Sequence, residues 1–236
     1  MESQIIISKG DTATLQSTWK IYKSQWKTFL ALTAIFAVVV IVYFLIDFVL
    51  SILGIAPSFS DPSYYSAGAL LGSYLLRFPI YLIYLYITSI LGLLFMVIPS
   101  LYFDRGEVIT WKVPYQFISK NLLRFTLGGI LFTFALTLGY LFCIFPGILI
   151  SFFITPVFVN KLTTTDLPII KAFFGSFQTV FKYINNDKFS YFILAVLASI
   201  IFFITTVFSC GIAGIITLPM FQIYIFHLGY NKGILS

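Results

Sequence analysis

Residues Phe29 to Leu53 read FLALTAIFAVVVIVYFLIDFVLSIL, an apolar run broken by one charge, Asp47. A helix that crosses a bilayer needs roughly 20 apolar residues, and this run supplies them. Lipid tails accept such side chains directly, whereas in water they would need a covering of polar surface. The run therefore predicts an all-α, multi-pass membrane protein, and the remainder of the chain repeats the pattern. Hydrophobic residues make up 60% of the sequence and charged residues 9%, against roughly a quarter charged in a soluble domain. No polar stretch in the 236 residues is long enough to form a second, soluble domain.

Downstream of that run lies a polar patch, PSFSDPSYYS at 57–66, and then an apolar stretch from Ala67 to Phe103 broken by Arg77. Pro79 suits the first turn of a helix. That places a second span at about 78–103 and Tyr64 to Leu76 at the outer interface. Two longer runs follow, Phe125 to Asn160 and Phe189 to Gly229. Each has a breaker near its middle, FPG at 145–147 and SCG at 209–211, and each reads as a hairpin of two helices.

The expected architecture is thus about six transmembrane helices, at 29–53, 78–103, 124–143, 146–160, 189–208 and 211–229. Together they form a transmembrane domain over 29–230. A cytoplasmic amphipathic segment, 1–28, precedes it and a cytoplasmic tail, 231–236, follows. The fourth helix is short: Gly147 to Asn160 would extend about 21 Å at 1.5 Å per residue, against a hydrocarbon core of roughly 30 Å. Either the turn lies earlier, near Gly139, or the helix runs on into the interface, or the hairpin is re-entrant.

Charge sets the expected orientation. Thirteen of the fourteen basic residues, from Lys9, Lys20, Lys23 and Lys27 through to Lys232, fall on one side of these spans, and only Arg77 falls on the other. Cytoplasmic connections are enriched in Lys and Arg, so both termini are expected in the cytoplasm. The net charge of +6 is spread between apolar runs and forms no dense cluster, which excludes a nucleic-acid partner as its explanation. The first 28 residues mix Glu2 and Asp11 with lysines and contain no short apolar core before a cleavage site, so no removable signal is expected.

Three hairpins can be overlaid. Each opens on a basic, aromatic segment: STWKIYKSQWKTF, VPYQFISKNLLRF and FFGSFQTVFKYINNDKF. Each second helix carries a proline followed by an aromatic: Pro99 with Tyr102, Pro156 with Phe158, Pro219 with Phe221. Pseudo-repeats with interfacial amphipathic helices are one explanation; the vague likeness of any three hairpins is the other. In the first segment Trp19, Tyr22 and Trp26 share one helical face and Lys20, Lys23 and Lys27 the neighbouring one. Trp19, Lys20, Lys23, Trp26 and Lys27 are accordingly expected to be interfacial anchors meeting anionic lipid headgroups.

Catalytic patterns are missing. There is a single histidine, His227, and no HExxH or paired CxxC motif, so no catalytic, cofactor or metal residue is assigned and a non-enzymatic role is expected. Asp47 and Arg77 are a candidate intramembrane ion pair, with a proton- or ion-coupling role for Asp47 as the sharper alternative. Cys143 and Cys210 occupy matching places and could be bridged in an oxidising compartment. Pro146, Gly147, Pro156 and Pro219 are the expected helix breakers.

The stretch LFCIFPGILISFFITPVFVNK, Leu141 to Lys161, with the following KAFFGSFQTVFK, resembles the YciC-like family of uncharacterised bacterial inner-membrane proteins. The matching positions are Pro146, Gly147, Ile148, Thr155, Pro156 and Ser176, with Thr155 standing where Ala is usual. The resemblance implies a location in the bacterial inner (plasma) membrane and no particular activity. A structural or envelope/lipid-related role is the expected function, with membrane lipids, a protein partner or a second copy as partners. A small transporter or permease is the alternative.

Overall fold

The computed structural model describes residues 6–52, 67–142, 147, 150–184, 189–209 and 213–235, with the side chains of 67–77, 140, 142, 184, 203 and 206 outside the description. Among the described residues there are helices and no strands. Helix α1 is Leu15–Ile52, α2 Ala67–Arg105, α3 Lys112–Lys120 and α4 Leu122–Phe142. A π-helical turn, Ile150–Ile154, runs directly into α5, Thr155–Thr164; α6 is Ile169–Ile184, α7 Phe189–Phe208 and α8 Gly214–Asn231.

Among the described residues, three helical stretches are long and apolar enough to cross a membrane: Leu15–Ile52, Phe78–Arg105 within α2, and Leu122–Gly139 within α4. Several boundaries differ from the sequence expectation. The N-terminal amphipathic segment is continuous with the first apolar run, because α1 is unbroken over 38 residues, about 57 Å at 1.5 Å per residue. Residues 67–76 are the start of α2, and Pro79 lies inside that helix, not in its first turn. The segments before α4 and α7 do form separate helices, α3 and α6. The fourth apolar stretch runs on past Asn160 to Thr164, one of the three expected alternatives.

Helix α2 is the central element and packs against α1, α3, α4, α5 and α8. Packing is concentrated at one end. The buried residues of α1 lie between Thr18 and Leu32, those described in α2 between Leu91 and Phe103, and those of α8 from Thr217 onward. Toward the other end Val38, Ile41, Phe44, Phe48, Ile83, Phe134, Leu141, Ile201 and Phe208 are exposed. Lipid tails are as apolar as these side chains, so the hydrophobic effect does not drive the helices together there.

The packed end is also the charged end. Lys9 pairs with Asp104 at 3.6 Å, Thr28 donates to the Ile109 carbonyl at 3.0 Å, and Arg124 donates to the carbonyls of Thr165 and Leu167. These bonds bring the N-terminal segment, the α2–α3 connection, the start of α4 and the end of α5 together. Lys9 and Arg124, two of the basic residues assigned to one side by the sequence, thus take part in this packed end.

Candidate functional site

The N-terminal half of α1 buries a stripe of Thr18, Ile21, Tyr22, Gln25, Thr28 and Phe29 and leaves Trp19, Lys20, Lys23, Trp26 and Lys27 outside. Tyr22 therefore departs from the expected shared aromatic face. It packs inward, stacked between Trp19 at 5.5 Å and Phe29 at 6.0 Å. The outward face is a ladder of rings and ammonium groups: Lys23 Nζ lies 5.3 Å from the Trp19 ring and Lys27 Nζ 6.0 Å from that of Trp26. A cation over an indole face is attracted by its quadrupole. Among the described residues no carboxylate lies within ion-pair distance of Lys20, Lys23 or Lys27.

Seven residues beyond Trp26, on the same helical face and about 10 Å along the axis, Thr33 opens the wall of a cavity of about 440 Å³. Phe36, Phe95, Phe152, Phe202 and Phe221 supply most of its surface, with Ser199, Gly214, Ile215, Thr217 and Leu218 completing it. Helices α1, α2, α7 and α8 and the π-turn all contribute. No charged side chain lines it. Phe221 meets Phe152 and Phe202 edge-on at 5.2 and 5.6 Å, so the rings brace one another.

The residues four positions before the three prolines noted in the sequence line this cavity. Proline has no amide hydrogen and cannot bond the carbonyl four residues earlier. For Pro99, Pro156 and Pro219 those carbonyls belong to Phe95, Phe152 and Ile215, and all three residues line this one cavity. The hydroxyl protons of Thr33 and Ser199 are already given to Phe29 O and Val196 O.

A second cavity of about 330 Å³ shares Phe36 and lies between α2, α4 and the π-turn. Thr88, Ser89, Thr133, Ser151 and Thr155 line it, with Gly92 and Gly129 leaving room. Thr155 donates across the wider turn to Ile150 O at 2.8 Å, Ser151 donates to Gly147 O at 2.8 Å, and Ser89 and Thr133 are bonded to each other. Among the described residues no three His, Cys, Asp or Glu side chains come close enough to hold a metal ion.

Of the other residues singled out in the sequence, Asp47 lies half-buried on α1, and its carbonyl accepts from Ser51 at 2.8 Å. Its pairing with Arg77 lies outside the described side chains, as do the Cys143–Cys210 bridge and Pro146. Gly147 is helical, and a Cβ on Gly139 would sit 3.1 Å from its Cα, so the fourth stretch crosses α4 backbone to backbone.

Sequence reasoning missed a polar lock at the packed end. His227 is fully buried; its Nε2 lies 2.9 Å from the Asp11 carbonyl, and because a carbonyl only accepts, Nε2 carries the proton. Asn231 donates to the same carbonyl at 3.1 Å. The Ile7 amide donates to the Tyr102 hydroxyl at 3.0 Å, and Asn160 donates to the Tyr230 hydroxyl at 2.6 Å. Together these strap residues 7–14 across the bundle end. The partners of His227 are the Asp11 carbonyl, the Ser17 hydroxyl at 3.4 Å from Nδ1 and the Phe103 ring at 5.0 Å, all far from it in sequence, so no local motif announces them.

At the end of α5, Lys161 donates to Gly175 O at 2.6 Å and to Thr179 Oγ1 at 2.9 Å, tying α6 to α5. Burial pulls its ammonium below the ordinary lysine range. Elsewhere the Gln25 amide and the Tyr191 hydroxyl are buried with no hydrogen-bond partner among the described residues. Compared with known proteins, the chain matches no family model, no curated protein and no solved structure.

Proposed function

We propose that the chain is a non-enzymatic, six-span protein of the bacterial inner membrane with a lipid-related role in the envelope. On this reading its packed, basic end, with both termini, faces the cytoplasm and grips anionic lipid headgroups. The observation that carries it is the α1 ladder, where Lys20, Lys23 and Lys27 accompany exposed Trp19 and Trp26 with no carboxylate within ion-pair distance among the described residues. Indole rings favour the headgroup layer, and basic residues near it attract anionic lipid. The YciC-like resemblance and the three pseudo-repeated hairpins belong to the same proposal. α7, at 20 residues, and α8, at 18, would be spans of the third hairpin.

Mild-detergent extraction followed by native mass spectrometry tests this reading with phosphatidylglycerol and phosphatidylcholine as competing lipids. Retention should favour phosphatidylglycerol, and a Lys20→Gln, Lys23→Gln, Lys27→Gln triple variant should weaken that retention by roughly a hundredfold. Equal retention of the two lipids by the unaltered protein would remove the proposal's main support.

A transporter is the second reading, favoured by the cavity that helices α1, α2, α7, α8 and the π-turn line together. Irregular helical segments, as the π-turn Ile150–Ile154 is here, form solute sites in known transporter folds. Solute uptake into proteoliposomes is its test, and absence of uptake across a broad panel would count against it.

A further inference from the structure

We infer that the groove between α4 and α6 holds one molecule of phosphatidylethanolamine, its phosphate at Arg124, its ammonium at Asp166 and an acyl chain between the helices. The inference rests on the proposed function only for the membrane setting; the site is separate from the α1 ladder and takes a different class of lipid.

The groove encloses about 500 Å³, and its wall is apolar throughout. Leu131, Ala135 and Leu138 of α4 line it together with Phe173, Phe174 and Phe177 of α6. A polar solute entering such a space gives up hydrogen bonds and finds none, whereas a hydrocarbon chain gives up nothing. At the far end Gly139 and Ile150, which also line the groove, meet closely: a Cβ on Gly139 would lie 2.9 Å from Ile150 Cδ1.

Two charges mark the other end. Arg124 precedes Leu131 by almost two helical turns, so it shares the face of α4 that carries Leu131, Ala135 and Leu138, about 10 Å nearer the packed end. It lies in the first turn of Leu122–Gly139, a stretch long and apolar enough to cross a membrane, and hence at headgroup depth. Its Nη2 donates to the carbonyls of Thr165 and Leu167, in the connection that leads into α6. Its Nη1 lies 3.8 Å from Asp166 Oδ1, beyond hydrogen-bond range, and has no other acceptor among the described residues. Asp166 is fully exposed, and an exposed pair at this distance holds weakly, so it opens readily around a zwitterion. Length agrees as well. Arg124 to Gly139 spans about 22 Å along the helix axis, and half a bilayer with its headgroups measures about 20–22 Å.

The paired charges select the headgroup. Phosphatidylethanolamine brings a phosphate to Arg124 and a primary ammonium, with N–H donors, to Asp166. Phosphatidylglycerol brings a phosphate and no cation to answer the carboxylate. Phosphatidylcholine has both charges, but its quaternary ammonium has no N–H to give.

Native mass spectrometry of the full chain in mild detergent tests the inference, with phosphatidylethanolamine, phosphatidylcholine and phosphatidylglycerol of identical acyl chains as probes. One phosphatidylethanolamine should be retained about tenfold more tightly than phosphatidylcholine, the worth of a charge-assisted hydrogen bond. Asp166→Asn, a change at a fully exposed side chain, should abolish that preference and leave phosphatidylglycerol retention undiminished. Ala135→Trp, which fills the groove from α4, should displace the phosphatidylethanolamine while circular dichroism shows the helices intact. The Lys20→Gln, Lys23→Gln, Lys27→Gln variant should keep phosphatidylethanolamine even where phosphatidylglycerol is lost, so failure of the ladder and failure of this site are separate results. Equal retention of phosphatidylethanolamine and phosphatidylcholine by the unaltered protein, a preference that survives Asp166→Asn, or undiminished phosphatidylethanolamine in a helical Ala135→Trp variant would overturn the inference.

Discussion

At the residue scale, the most exacting position is Gly139. A Cβ there would lie 2.9 Å from Ile150 Cδ1 and 3.1 Å from both the Cα and the N of Gly147. The side chain could move, but the Gly147 backbone could not without parting two helices. Gly139→Ala should therefore lower the thermal midpoint, with a cost of about 1–3 kcal/mol from overpacking. Gly92 is the natural control, because a Cβ there meets nothing within 4 Å; Gly92→Ala should be neutral or stabilising by up to about 1 kcal/mol. Gln25 behaves oppositely to a usual core residue. It is 2% exposed, and neither end of its amide has a hydrogen-bond partner among the described residues. Gln25→Leu should raise the midpoint measured by tryptophan fluorescence, since it removes an unpaired buried amide worth about 1–3 kcal/mol. A marked fall would show that the amide is satisfied in the working protein. His227→Phe keeps the stack on Phe103 and deletes the bond to Asp11. Residues 7–14 should then exchange amide hydrogens faster while the helix interiors stay protected.

At the scale of elements, length and breakage explain most of the architecture. α1 and α2 are each far longer than the roughly 30 Å that hydrocarbon requires, so their basic ends project beyond it and pack on one another. The π-turn before α5 absorbs the conflict between Pro156 and a regular helix, and Thr155 bridges it by donating to Ile150 O at 2.8 Å. α6 has a wholly different support. It lies beside α5 through Lys161, whose ammonium has two neutral acceptors and no carboxylate within ion-pair distance among the described residues. Lys161→Met should leave the midpoint of the bundle nearly unchanged and raise hydrogen exchange across 169–184. If those amides stay protected, the bonds to Gly175 and Thr179 are dispensable and the apolar stripe of α6 holds it alone.

At the scale of the whole molecule, the helical membrane class was legible because hydrocarbon thickness dictates the length of an apolar run. Helix ends were less legible. A bilayer says where side chains must become polar, but backbone hydrogen bonding carries the helix on, as at Leu15, Ala67 and Thr164. The inward turn of Tyr22 was hidden for a related reason: helical period groups it with Trp19 and Trp26, while only packing decides which ring meets the core. The candidate site was half visible. The proline spacing could be read from the chain, yet the meeting of Phe95, Phe152 and Ile215 at one cavity depends on how the elements fold together. The lock around His227 gave no signal, because its partners, the Asp11 carbonyl and the Ser17 hydroxyl, lie more than 200 residues away in the chain.

The central claim is that one basic, packed end stands on a single side of the membrane and the splayed apolar half lies within it. Single cysteines placed in a cysteine-free background test it directly, by labelling with a membrane-impermeant maleimide in sealed vesicles of known orientation. Gln16→Cys, Ser119→Cys and Lys171→Cys, on α1, α3 and α6, should all label from the cytoplasmic side, and Ser63→Cys, in the connection after α1, only from the opposite side. Labelling of Gln16→Cys and Ser119→Cys from opposite sides, or of Ser63→Cys from the cytoplasm, would contradict the account.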